Sequence, residues 1–170
     1  GTDYWAQGYS EPGAGSDLAG IRTKAHRDAA TGEWVINGQK IWTSFGAQSD
    51  YCYLICRTSK DGPPHAGISE IIVPMDTPGI EVRPIQLIDG GYEVNEVFFN
   101  DVRVPADQLI GEENAGWSYG KFLLGNERTG VARVGNTKLA LSTAKKLAAE
   151  SAEARFVKAG EDEFIYARDR

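Results

Sequence analysis

The sequence predicts a mainly β fold, an antiparallel barrel or sandwich, followed by a long α-helix. Three observations carry this. Short apolar stretches of strand length recur before residue 112, each bounded by turn residues. Glycine is abundant, 20 of 170 residues or about 12% against a typical ~7%, and seven prolines accompany it. From Trp117 to Glu150 there is no proline, and alanine, leucine and lysine accumulate.

In chain order, Ala30-Thr-Gly32 reads as a turn leading into a short strand, Glu33–Asn37. Asn37-Gly38 is the strongest hairpin dipeptide, so Gln39–Thr43 is expected to pair back on it. Asp50–Arg57 is a nearly continuous apolar run, short enough for a strand buried on both faces. Gly62-Pro-Pro64 makes a loop. Gly67–Pro74, Ile80–Arg83 and Asn95–Asn100 are further strands, separated by Pro78-Gly79 and Asp89-Gly-Gly91. Beyond Pro105, the residues Phe122, Leu123, Val131, Val134, Leu139 and Leu147 give the expected helix an apolar side. Gly120, Gly125, Gly130 and Gly135 each cost such a helix roughly 1 kcal/mol, so it needs partners that gain from close approach. Glu161-Asp-Glu163 reads as a helix N-terminus, and Glu163–Arg170 as the first turns of that helix. With no methionine at the start, the chain reads as a piece of a longer protein.

Charge and composition narrow the function. Eighteen basic and 24 acidic residues give a net charge of −6, which argues against nucleic acid as a partner. No apolar run approaches the ~20 residues of a membrane span, and no signal peptide opens the chain. Two cysteines, Cys52 and Cys56, are too few for a secreted disulfide framework. They share a strand face by period two and read as a buried structural pair rather than zinc ligands, with His26 and His65 far off in sequence. The expectation is a cytoplasmic protein with no metal. Glu11, Asp17 and Asp101 read as turn caps.

Two segments carry candidate chemistry. Gln7–Asp17 is rich in glycine, which lets backbone N–H groups approach a phosphate or a flat ring. It is not the Rossmann fingerprint, since Gly13-Ala-Gly15 lacks the third glycine. A plain surface turn is the competing reading. Trp42 is either a core residue closing the barrel or an apolar wall beside a ligand.

Ser10-Glu-Pro-Gly-Ala-Gly-Ser-Asp17 resembles the Thr/Ser-Glu-Pro-x-Ala-Gly-Ser-Asp signature of the acyl-CoA dehydrogenases. Asn37-Gly-Gln-Lys-Ile-Trp-Thr-Ser44 is similar to that family's Asn-Gly-x-Lys-x-Trp-Ile-Thr/Ser, and Phe99–Pro105 to its Phe-x-Asp-Val-x-Val-Pro. The three stand in the family's order, and the resemblance covers residues 3–150. It implies an antiparallel Greek-key-like β-barrel, residues 1–111, as the middle domain of an α+β three-domain fold. Residues 112–170 would be the first helices of the C-terminal bundle. It implies FAD as cofactor, with Gln7, Tyr9, Ser10, Ser16, Trp42, Thr43 and Ser44 as the residues that bind it. Ser16 would also meet acyl-CoA, together with Gly125, Asn126 and Arg128. Glu127 stands where the long-chain and isovaleryl branches carry the catalytic glutamate, and a solvated helix glutamate is the competing reading. The family's Arg-x-x-Phe-Gly, which reaches a neighbouring subunit's FAD, is not matched by Ala154–Gly160. Gln7–Ser10 and Asn126–Gly130 look closer to branches acting on dicarboxylic or steroid-side-chain acyl-CoAs, some of which form mixed-subunit tetramers. The implied reaction removes the α-proton of an acyl-CoA and passes the β-hydride to flavin N5, giving the trans-2-enoyl-CoA. An electron-transfer flavoprotein would take the electrons, and a homo- or hetero-oligomer is implied. Competing classes are a flavin oxidase or monooxygenase on the same fold, told apart by peroxide production, and a non-catalytic ligand- or partner-binding subunit, told apart by absent flavin.

Overall fold

The computed structural model describes residues 1–150, 154–158 and 164–168. They form two compact units, Gly1–Leu123 and Leu124–Arg170. In the first, seven strands make one curled sheet: β1 (Trp5–Gly8), β2 (Lys24–Arg27), β3 (Trp34–Ser44), β4 (Tyr51–Arg57), β5 (Ile68–Pro74), β6 (Ile80–Ile85) and β7 (Val94–Val104). The order is β1-β4-β2-β3-β7-β6, with β5 paired to β4. Most pairs are antiparallel. The exceptions lie along β4, which takes β1 in parallel from Tyr51 to Leu54 and the tip of β2 at Arg57.

The apolar run of β4 is explained by burial on both faces. Cys52, Leu54 and Cys56 pack with Trp34, Ile36, Ile71, Val73, Val97, Phe99, Val102 and Val104 in the main core. Ile55 points the other way, to a second cluster with Tyr9, Ala14, Ile21 and Ile68. Each Val, Ile, Leu or Phe side chain among them contributes about 1.5–3 kcal/mol on burial. Burial pushes both thiols up to about 12, so Cys52 and Cys56 are inert free cysteines.

The expected hairpin at Asn37-Gly38 is corrected. The chain runs straight through it as one 11-residue strand, β3. A bulge falls there instead, where the register with β7 shifts between Ile36 and Gly38. Gly38 sits at φ +154, and a Cβ on it would stand 2.6 Å from the Thr23 Cα. The hairpin lies one turn earlier, where Asp28–Glu33 joins β2 to β3. There the Asp28 carboxylate accepts from the amides of Ala30 and Thr31.

The expected long helix is two, α1 (Gly116–Val131) and α2 (Val134–Glu150). Arg133, at φ +44, breaks the helical path between them. The helix glycines divide as well. A Cβ on Gly116 would stand 2.7 Å from the Ser69 carbonyl carbon, and one on Gly120 3.2 Å from the Glu70 carboxylate. These two let the first turns of α1 approach the sheet. A Cβ on Gly125, Gly130 or Gly135 would meet nothing within 4 Å among the described residues.

Residues 164–168, expected as helix, are a strand: β8 (Ala154–Lys158) and β9 (Phe164–Arg168) pair antiparallel. Phe164-Ile-Tyr166 has the aromatic and β-branched composition of a strand. The expected helix start at 161–163 lies outside the described residues. No helix among the described residues is long and apolar enough to cross a membrane.

Candidate functional site

The two glycine- and tryptophan-bearing segments meet. After β1, the chain closes a tight turn in which Glu11 and Ala14 exchange backbone hydrogen bonds of 2.9 and 3.0 Å. The Ile41 N–H of β3 donates to the Ser10 carbonyl at 2.9 Å. A cleft of about 270 Å³ opens beside this junction, lined by Gln7, Tyr9, Ser10, Trp42 and Ser44 with Trp5, Ile41 and Phe45.

The backbone of this wall is strained. A second register shift of β3 on β7 falls between Lys40 and Thr43, and Trp42 is held at φ +60. Phe45 follows at φ +54. Left-handed backbone at bulky residues costs of order 1–3 kcal/mol each and persists only where the surroundings impose it. Here the result is that Trp42 is 58% exposed and Phe45 54%. Trp42 therefore does not close the barrel core; the buried tryptophan is Trp34. The shift also turns Thr43 inward. Its hydroxyl is buried without a hydrogen-bond partner among the described residues, and its carbonyl accepts from the Asn95 amide at 3.0 Å.

Tyr9 contributes to the cleft from below. Its ring is buried and stacked on Tyr53, and its hydroxyl donates to Glu70 at 3.0 Å. Tyr53 donates to the other Glu70 oxygen. Burial raises the Glu70 pKa against both hydrogen bonds. Ser16 is exposed on the glycine loop and is not part of the cleft lining. Gly13 and Gly15 beside it adopt no left-handed backbone, and a Cβ on either would meet nothing within 4 Å. Among the described residues, nothing packs against these two glycines, so their backbone is open to close approach.

Gly125, Asn126 and Glu127 lie on α1 in the second unit, with Glu127 half-buried. The side chain of Arg128 lies outside the described residues.

Three side chains were not legible as parts of this region. Glu11, read as a turn cap, is buried. Its carboxylate accepts from Lys40 Nζ at 2.8 Å and from the amides of Arg22 and Thr23 at 2.6 and 2.9 Å. Burial would raise its pKa, but the Lys40 charge and these hydrogen bonds outweigh that and hold it low. Lys40 is fully buried and also donates to the Tyr9 carbonyl at 2.9 Å; burial pulls its pKa down against the Glu11 charge. The signal was present, since each lies inside a motif beside a cleft residue, but their pairing spans 29 positions. Glu70 had no motif to mark it.

A fold of this kind with two motif segments meeting at an aromatic, hydroxyl-bearing cleft defines a class. The profile of the acyl-CoA dehydrogenase middle domain matches residues 6–102, and the chain belongs to the acyl-CoA dehydrogenase family. It is 49% identical over 134 residues to acyl-CoA dehydrogenase IpdE1 of Mycobacterium tuberculosis, covering 79% of this chain and 34% of that protein. Among solved structures, the Tcur3481-Tcur3483 steroid ACAD is similar at 42% identity and a TM-score of 0.77, over 86% of this chain and 37% of that one. The ChsE4-ChsE5 complex from Mycobacterium tuberculosis is similar at 43% identity and a TM-score of 0.66, over 74% and 32%. The chain thus spans about a third of the length of these relatives.

Proposed function

We propose that this chain is the middle barrel, residues 1–111, and the first C-terminal helices, residues 112–170, of an FAD-dependent enzyme that oxidises an acyl-CoA to the trans-2-enoyl-CoA. The observation that carries this is the cleft where Gln7, Tyr9 and Ser10 meet Trp42 and Ser44. Exposed indole and phenyl faces beside two serine hydroxyls suit a flat ring with one polar edge. The bare Gly13-Ala-Gly15 backbone suits a pyrophosphate. FAD, when bound, supplies the hydride acceptor for the substrate β-carbon.

The chain's own residues do the rest. Ser10 and Ser44 orient the ring edge by hydrogen bonds. Trp42, with Trp5 and Phe45, excludes water from the reacting face. Thr43 fixes the wall through its carbonyl bond to Asn95. Ser16, Gly125, Asn126 and Arg128 hold acyl-CoA, and Glu127 takes the α-proton. Similarity to a steroid ACAD favours a substrate with a bulky alicyclic acyl group. An electron-transfer flavoprotein receives the electrons, and the protein works as an oligomer, in keeping with a relative solved as a two-protein complex.

The test uses the full-length protein. It is expected to carry flavin absorbance and to form enoyl-CoA without peroxide. Ser44 is exposed, so Ser44→Ala should change stability by less than about 0.5 kcal/mol while slowing flavin reduction. Peroxide as the main product would indicate an oxidase, and absence of flavin from the folded protein would overturn the reading. Glu127→Gln should slow flavin reduction by about a hundredfold or more, the span of a lost general base. A change of only a few-fold would place the base elsewhere.

A further inference from the structure

We infer that the buried Lys40–Glu11 pair is the positioning device that sets the two walls of the cleft in register; the inference rests on the flavin reading above. One wall is the Tyr9-Ser10 backbone and the other is Ile41-Trp42. Lys40 immediately precedes the second wall and reaches across to the first. Its ammonium donates to the Tyr9 carbonyl at 2.9 Å and to Glu11 at 2.8 Å, so the residues on either side of Ser10 are held by one charge. Glu11 then fastens the far end of the loop, accepting from the amides of Arg22 and Thr23. Between them, Ile41 donates to the Ser10 carbonyl. Ser10 is thus bracketed by three bonds to the strand that carries Trp42 and Ser44.

The cost of the arrangement supports the assignment. Lys40 has no exposed surface and Glu11 is 7% exposed. An apolar pair of similar volume would serve the core as well or better, because desolvating two charges offsets most of their attraction. An apolar pair cannot hold the Tyr9 carbonyl. The ion pair is retained for geometry at the cleft. The titratable groups that act on Lys40 are Glu11, Cys56 and Cys52, and both thiols are neutral in the core.

The test is the double variant Glu11→Leu with Lys40→Met in the full-length protein. It removes both charges together and leaves neither buried alone. A folded protein with a lowered melting temperature is expected, because the Arg22 and Thr23 amides and the Tyr9 carbonyl lose these partners, with FAD bound at least tenfold more weakly and the visible circular dichroism of the bound flavin altered. Val104→Ala, a core substitution opposite Trp34 at the end of β3 away from Lys40, is the control for general destabilisation and should leave FAD affinity unchanged. A folded double variant that binds FAD within twofold of the parent overturns the inference. So does an equal loss of FAD affinity in Val104→Ala. Should the double variant not fold, hydrogen exchange in the unaltered flavin-free protein decides. An Ile41 amide as slow as that of Ile36 supports pinning; exchange at loop rates overturns it. If the parent itself binds no flavin, the functional reading fails, while the exchange result still decides whether the walls are pinned.

Discussion

Glu11 and Glu70 are two buried carboxyls whose pKa values are shifted in opposite directions. Glu11 is held below its ordinary value of 4.5, so its contribution to stability is complete above that pH and is lost as pH falls through its depressed folded value. Glu70 is raised above 4.5 by burial, so its contribution is complete below that pH and is lost as pH rises through the raised folded value. Urea denaturation from about pH 3 to about pH 8 separates them. Glu70→Gln should flatten the decline on the neutral side, because an amide needs no proton to sit between two tyrosine hydroxyls. An unchanged slope would mean that Glu70 keeps its charge in the fold. Glu11→Gln leaves Lys40 buried and uncompensated, and should destabilise by about 3–5 kcal/mol. Neither carboxyl was legible in the sequence as more than a turn residue or a strand glutamate. Burial depends on which strands become neighbours, and the Lys40–Glu11 contact joins positions 29 apart.

At the scale of elements, the apolar runs were readable and the bends were not. The run 50–57 and the segment 67–74 are β4 and β5 with nearly those bounds, because continuous burial leaves a continuous apolar signature. Asn37-Gly38 misled, since a turn dipeptide and a bulge both call for glycine's freedom of φ. What distinguishes them is the neighbour: Thr23 stands against Gly38, so the site is a crossing of two backbones. Gly38→Ala should therefore cost about 2 kcal/mol through combined clash and strain, read by denaturant midpoint. A neutral result would mean that Thr23 can yield. The paired strand at 164–168 was missed for the opposite reason. Its aromatic composition was present, but the acidic stretch before it matched a helix start.

At the scale of the molecule, the cleft residues were named by motif resemblance, and their gathering in one place required the fold. Two features bear on how the chain behaves alone. Leu139 and Leu147 on α2 are 69% and 62% exposed, and Phe122 on α1 is 75% exposed. Solutions of the 170-residue chain should bind a hydrophobic dye and associate as concentration rises, whereas exposed charge at those positions would prevent it. Leu139→Lys with Leu147→Glu should reduce both effects without lowering the barrel's melting temperature. The cleft sets the second expectation. Ligand sites of high affinity enclose some 300–1,000 Å³ and bury most of the ligand surface. The cleft has about 270 Å³, enough for one edge of a ring and too little for a dinucleotide. Binding at 1 μM requires about −8 kcal/mol, and one aromatic wall with two hydroxyls falls short of that. FAD titrated into the 170-residue chain and followed by flavin fluorescence should therefore bind with a Kd well above micromolar. Trp42→Ala should weaken it further, because the indole is the wall. Sub-micromolar binding by the chain alone would mean that the barrel holds the cofactor without the rest of the protein, and would move most of the site's binding energy into residues 1–123.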